Sequence, residues 1–185
     1  MEITIPIYEA LNCLLTGLLF VVFNLCLINI CEIRIIFIPL DFIKNLPNTV
    51  TSICCIAIFY ECGFVINRIG SIVTENILYS FRILPFNHDY VLYNESKKKY
   101  PILDTLSRNY SVARTQFTLY FILFVESLVS LCCCFLEIGQ FSYNVLFALI
   151  WFIPLIIILV IIFYYSCYKY ATKIVSLMNK EPARG

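Results

Sequence analysis

The chain has 185 residues, of which 61% are hydrophobic and 14% charged, with a formal net charge of +1 and a mean hydropathy of +0.88. A soluble domain of this length cannot bury that much apolar surface, so the excess must face lipid. The near-neutral charge argues against a dedicated nucleic-acid binder. Ten cysteines, almost all in apolar stretches and without a C-x-x-C pair, stand beside a single histidine, His88, so no metal site or cofactor is expected.

A hydrocarbon core needs about 20 mostly apolar residues, and four segments qualify. The first runs from Ala10 to Ile30. It opens with Glu2 and Glu9, lacks a basic leader and has no small-x-small site before Cys31, so it reads as a span and not as a signal peptide. Glu32 to Asn48, with Pro39 and Pro47, reads as an extension of the first helix and a short interfacial piece. The second span covers Thr49 to Ile66, the third Phe117 to Leu136 and the fourth Val145 to Tyr165.

Three of these helices are expected to outrun the membrane. The apolar run of the second continues over 67–82 and stops before Pro85, which cannot continue a helix. Pro101 suits a first helical turn, after which Ile102, Leu103, Leu106, Tyr110, Ala113 and Phe117 recur at helical spacing through 101–116 into the third span. Ala171, Ile174, Val175 and Met178 carry an apolar stripe through 166–180. The Tyr-, Asn- and Lys-rich connector from Ile83 to Tyr100 reads as a surface loop. The fold expected is all-α: one membrane domain over 1–185, a four-helix transmembrane protein with helices extended into a short cytoplasmic bundle.

Eleven of the thirteen Lys and Arg residues lie between the second and third spans or after the fourth; only Arg34 and Lys44 lie on the other side. The positive-inside rule then places both termini in the cytoplasm of a multi-pass protein, which we assign to the cell inner membrane. Cys167, at the cytoplasmic boundary, is a position open to acylation, against a plainer reading as a packing residue.

Four charges, Glu61, Arg68, Glu75 and Arg82, are spaced by seven along the second helix. Seven residues is nearly two turns, so they cannot pair with one another and should meet partners on a neighbouring helix, Arg108 and Arg114 being the candidates for Glu75. Such a set either fixes helix register or serves sensing or gating. Intramembrane carboxylates are costly and functional by default. Counted from the outer ends of their spans, Glu61 and Glu126 fall at similar depth, near Asn24 and the carbonyl freed by Pro154. In an oligomer they would form the ring of carboxylates that cation pathways use; the alternative is that Glu126 is protonated, or bonded to Asn24 or a backbone carbonyl, inside the bundle. Lys97, Lys98 and Lys99 are the candidate contact for a cytoplasmic protein or nucleoprotein partner.

Catalytic patterns are weak. Arg82 and His88 form an R-x5-H arrangement similar to the R-x4–6-H signature of HEPN ribonucleases, but Pro85 breaks the helix between them. No catalytic residue is assigned, and the chain is not expected to be an enzyme.

The run Gly63-Phe64-Val65-Ile66-Asn67-Arg68-Ile69-Gly70-Ser71, followed by Glu75 and later by Asn109, Tyr110, Arg114 and Thr115, resembles a pattern in small prokaryotic four-helix membrane proteins. Proteins of that build occur as accessory or effector subunits of antiviral defence systems. The resemblance covers residues 57 to 120 and implies membrane permeabilisation; it transfers no catalytic residues. The function expected is therefore an oligomeric membrane protein that forms or gates a pore, in a lipid bilayer and as a homo-oligomer. The alternative is a membrane anchor recruiting a soluble partner.

Overall fold

A computed structural model describes residues 7–31, 47–81, 90–136 and 143–179. Among the described residues all of the regular structure is helical: α1 (Ile7–Cys31), α2 (Asn48–Ile69), a π turn (Gly70–Thr74), α3 (Glu75–Ser80), α4 (Tyr90–Lys99), α5 (Ile102–Leu136) and α6 (Tyr143–Met178). Four stretches are long and apolar enough to cross a membrane, Ile7–Cys26, Asn48–Ser80, Ile102–Cys132 and Ile150–Met178. The all-α, four-helix membrane architecture read from the sequence is the one observed.

Backbone groups in lipid must be satisfied within their own segment, which is why these stretches are continuous helices. Polar residues inside them obey the same constraint. Ser127 donates to the Leu123 carbonyl at 2.7 Å, Ser130 to Glu126 at 2.8 Å and Thr118 to Arg114 at 2.8 Å. Pro154 lies within α6, which runs on through it for 36 residues in all. At about 1.5 Å per residue, α5 with its 35 residues is roughly 52 Å long, well beyond a hydrocarbon core of about 30 Å.

The helices pack as two close pairs, α1 with α2 and α5 with α6, joined where α1 and α2 meet α5. At the α1–α2 crossing, Gly17 lies against the Phe59 carbonyl and Gly63 against the Cys13 carbonyl. No side chain fits between these backbones, so glycine is required there by close approach. Higher in the bundle, Ile66, Leu119, Leu123 and Ile156 form one buried cluster, with Phe23 edge-on to Phe152 at 5.9 Å. A second cluster, Leu78, Leu103, Leu106, Tyr110, Ala113, Phe117, Cys167, Ala171, Ile174 and Met178, holds the extensions together as a stalk.

Two local features differ from expectation. The connector is not wholly a loop: residues Tyr90 to Lys99 form α4, which places Leu92 and Tyr93 on the stalk core and ends two residues before Pro101. Its polar composition hid an amphipathic turn pattern of only ten residues. Secondly, the second helix is interrupted by the π turn, closed by the Glu75 N–H donating to the Gly70 carbonyl. A π turn absorbs about one extra residue and so changes which face the following segment presents. Because that residue is surplus, deleting exposed Val73 should merge α2 and α3 into one α-helix with both faces kept. Thermal unfolding of that variant is expected within about 1 kcal/mol of the parent, whereas deleting Val65 should prevent folding, since it turns everything beyond it by about 100°. Equal damage from the two deletions would argue against the π turn.

Candidate functional site

A connected set of buried and half-buried polar side chains lies where α2 and α3 cross α5. Arg114 Nη1 donates to Glu75 Oε2 at 2.8 Å, its Nη2 donates to Asn67 Oδ1 at 3.4 Å, and Tyr110 donates to Glu75 Oε1 at 3.3 Å. Thr115 Oγ1 donates to the same Asn67 oxygen at 2.8 Å, and the hydroxyls of Thr74 and Thr118 are hydrogen-bonded to each other at 3.2 Å. Both partners of the ion pair keep only 14% of their side-chain surface exposed. Arg114 Nε is buried and finds no acceptor among the described residues. Beneath the pair lies the buried thiol of Cys167, which is 1% exposed and so is not open to acylation.

Arg114 thus clamps both sides of the π turn, with Asn67 before it and Glu75 after it. In an unbroken α-helix these two, eight residues apart, would sit about 12 Å from each other. The close passage of Gly70 over the Thr118 and Arg114 side chains allows one guanidinium to reach both. The Asn67-Arg68-Ile69-Gly70-Ser71 element is therefore the crossing itself: one residue accepts hydrogen bonds and another makes room.

The seven-residue charge pattern does not act as a single stripe. Glu75 is paired with Arg114, whereas Arg108 is taken by Asp104 one turn before it at 2.8 Å and has no part in the network. Arg68 is exposed and stacks its guanidinium on Phe64 of its own helix, 4.9 Å from the ring centre. Glu61 is exposed. Arg82, like His88, lies outside the described residues. The drift of 3.6 against seven, about 20° per heptad, together with the π turn, divides Glu61, Arg68 and Glu75 between two faces.

The expected layer of two carboxylates is corrected too. Glu126 is half-buried between α5 and α1 and accepts a hydrogen bond at 3.3 Å from Asn24 Nδ2, which also donates to the Phe20 carbonyl at 3.0 Å. Asn24 is 1% exposed. Glu61 sits beside the part of α1 between Cys13 and Gly17, because α2 packs there through Gly63 and Phe59. The two carboxylates are thus separated by about nine residues of α1, roughly 13 Å, and one faces in while the other faces out. Counting from span ends erred because the close approach of Gly63 to Cys13 sets the height of α2 against α1, which residue counts do not record. At the Glu61 level of α1, Gln116 donates to Thr16 at 2.9 Å and Asn12 at 3.3 Å, an interhelical link that single-residue reading overlooked.

On the stalk, Lys97 is bound to Asp104 at 2.7 Å, and that hydrogen bond raises the lysine above its ordinary range. Lys98 and Lys99 are exposed, with Lys99 near the Tyr100 ring at 5.6 Å. Three or more His, Cys, Asp or Glu side chains suited to one metal ion do not come together among the described residues.

Fold and site define a multi-pass, all-α membrane protein whose spans are joined by buried polar contacts. No family model, curated protein or solved structure matches the chain.

Proposed function

We propose that the protein assembles as a homo-oligomer in which the outward faces of α2 enclose a cation path, Glu61 being the carboxylate that lines it. The carrying observation is a contrast between two equally exposed helices. The outward face of α6 within the membrane, Ile150, Trp151, Leu155, Ile158, Ile161 and Ile162, is wholly apolar and suits lipid. The outward face of α2, with Ile53, Ala57 and Val65, also carries Glu61 and Arg68. A charge facing lipid at the centre of a span costs about 2.5–3.5 kcal/mol on insertion scales, so such a face is better explained by protein and water than by acyl chains. Copies inserted in the same sense, with the basic stalk in the cytoplasm, bring their Glu61 carboxylates to one level, which is the form of a cation-attracting ring. The permeabilising effector role implied by the resemblance of the Asn67–Ser71 element would use such a path.

Glu126 has the other role weighed for it, a hydrogen-bonded interhelical contact. In proteoliposomes, Glu61→Gln is expected to lower cation flux about ten-fold, while Glu126→Gln, which still accepts from Asn24, leaves it within about two-fold. Parent protein that passes no ions, or a Glu61→Gln variant that conducts like the parent, would sink the reading. The exposure of Lys98 and Lys99 on a formed helix favours a second reading, a membrane anchor; its sign would be a soluble partner lost on charge reversal of these two lysines.

A further inference from the structure

Beyond the Glu75–Arg114 pair the extended helices run side by side, and their outward faces diverge. Glu75 at the start of α3 meets Tyr110 and Arg114, and Leu78, one turn further on, joins the cluster that holds Leu106 of α5 and Ala171 of α6, so Ile77 to Phe81 run beside the part of α5 just before Tyr110. There α6 shows Lys169, Thr172, Lys173 and Ser176, and α5 shows Thr105 and Arg108. On α6 the change from apolar to polar comes after Tyr168. The stretch from Ile150 to that point is about 28 Å long, one hydrocarbon thickness. The outward face beyond the π turn carries no charge, Asn76 and Ser80 being its exposed polar residues. Val65, Ile72, Val73, Ile77 and Tyr79 are exposed, and Phe81 is 72% exposed. Ile77 and Phe81 therefore present apolar surface at a level where the neighbouring helices have already turned to water.

We infer that the Ile77–Phe81 stripe of α3 is the cytoplasmic contact between two copies of this chain. The inference rests on the self-association proposed above and adds where the subunits touch. Three observations select a second copy as the occupant. Ile72 follows Arg68 and Glu61 at steps of four and seven, so the stripe continues a face that only another membrane-embedded chain can cover along its whole length. Copies inserted in the same sense present Ile77 and Phe81 at the same level, which makes the stripe self-complementary about an axis normal to the membrane. Val73, Ile77 and Phe81 carry no charge, so pairing like with like incurs no repulsion, in contrast to the Lys-bearing face of α6.

The test places a benzophenone side chain at 77, 81, 65 or 161 of the full chain and irradiates native membranes. Crosslinked dimer of two differently tagged copies is expected at 77 and 81, and several-fold less at 161, which faces lipid. In parallel, native mass spectrometry of Ile77→Ser/Phe81→Ser should show self-association weakened about ten-fold with the helical content retained, since both residues are exposed. Dimer at 65 without dimer at 77 or 81 overturns the stalk contact and leaves the oligomer standing. No dimer at any position, with a monomeric mass for the parent, overturns both. Crosslinks from 81 to a foreign protein, or equal dimer yields at 81 and 161, also overturn it.

Discussion

Replacing Arg114 by leucine is expected to cost about 3 kcal/mol of stability, because it leaves the Glu75 carboxylate buried without its cation. The same holds for Glu75→Leu, which strands a guanidinium whose Nε already finds no partner among the described residues. The double variant Glu75→Leu/Arg114→Leu removes both charges from a site lined by Tyr110, Thr115 and Cys167. It should recover most of the loss, to within about 1 kcal/mol of the parent. Thermal or denaturant unfolding in detergent micelles provides the measurement. Additive losses in the double variant would show that the two side chains act independently, against the geometry of a single clamp across the π turn. Because Arg114 also holds Asn67, Arg114→Leu should cost at least as much as Glu75→Leu.

The second large effect lies at the α1–α2 crossing. Alanine in place of glycine within a helix ordinarily adds up to about 1 kcal/mol of stability. At Gly17 and Gly63 the sign should reverse, since the added Cβ would fall within the backbone of the facing helix, at Phe59 and Cys13 respectively. Backbone cannot swing aside as a side chain does, so Gly17→Ala and Gly63→Ala should each lose about 3 kcal/mol or fail to accumulate in the membrane. Gly70→Ala is the internal control: its Cβ would meet the Thr118 hydroxyl at 2.7 Å, a group able to rotate, and a smaller loss is expected. A Gly17→Ala protein that melts higher than the parent would refute the close pair. The crossing also positions Glu61, so separating the helices should disturb the proposed path along with stability.

Much of the frame was legible in the residues. The four spans followed from hydropathy and length, and the extension of three helices past the membrane followed from Leu106, Tyr110, Ile174 and Met178 recurring at helical spacing. Pairing of Glu75 with Arg114 was legible as one of two options, because the antiparallel connection brings both arginines near; Arg108 lost through a local competitor, Asp104, at the favourable i−4 position. Helix α4 was hidden by its polar composition. The depth of Glu61 relative to Glu126 was not legible, since residue counts along two spans measure the same height only if both helices are equally inclined.

Sequence by itself determined that this is a membrane protein of four apolar helices with a basic extension. Those properties depend on transfer free energy and backbone satisfaction, which add residue by residue. Tertiary structure decided the fate of each charge: Glu75 and Arg114 buried together, Glu126 tied to Asn24, Arg68 folded onto Phe64, and Glu61 turned outward. That outcome depends on crossing angles and on one residue accommodated in a π turn. No linear spacing records either, because the rotation of a helix about its axis is fixed by what packs against it.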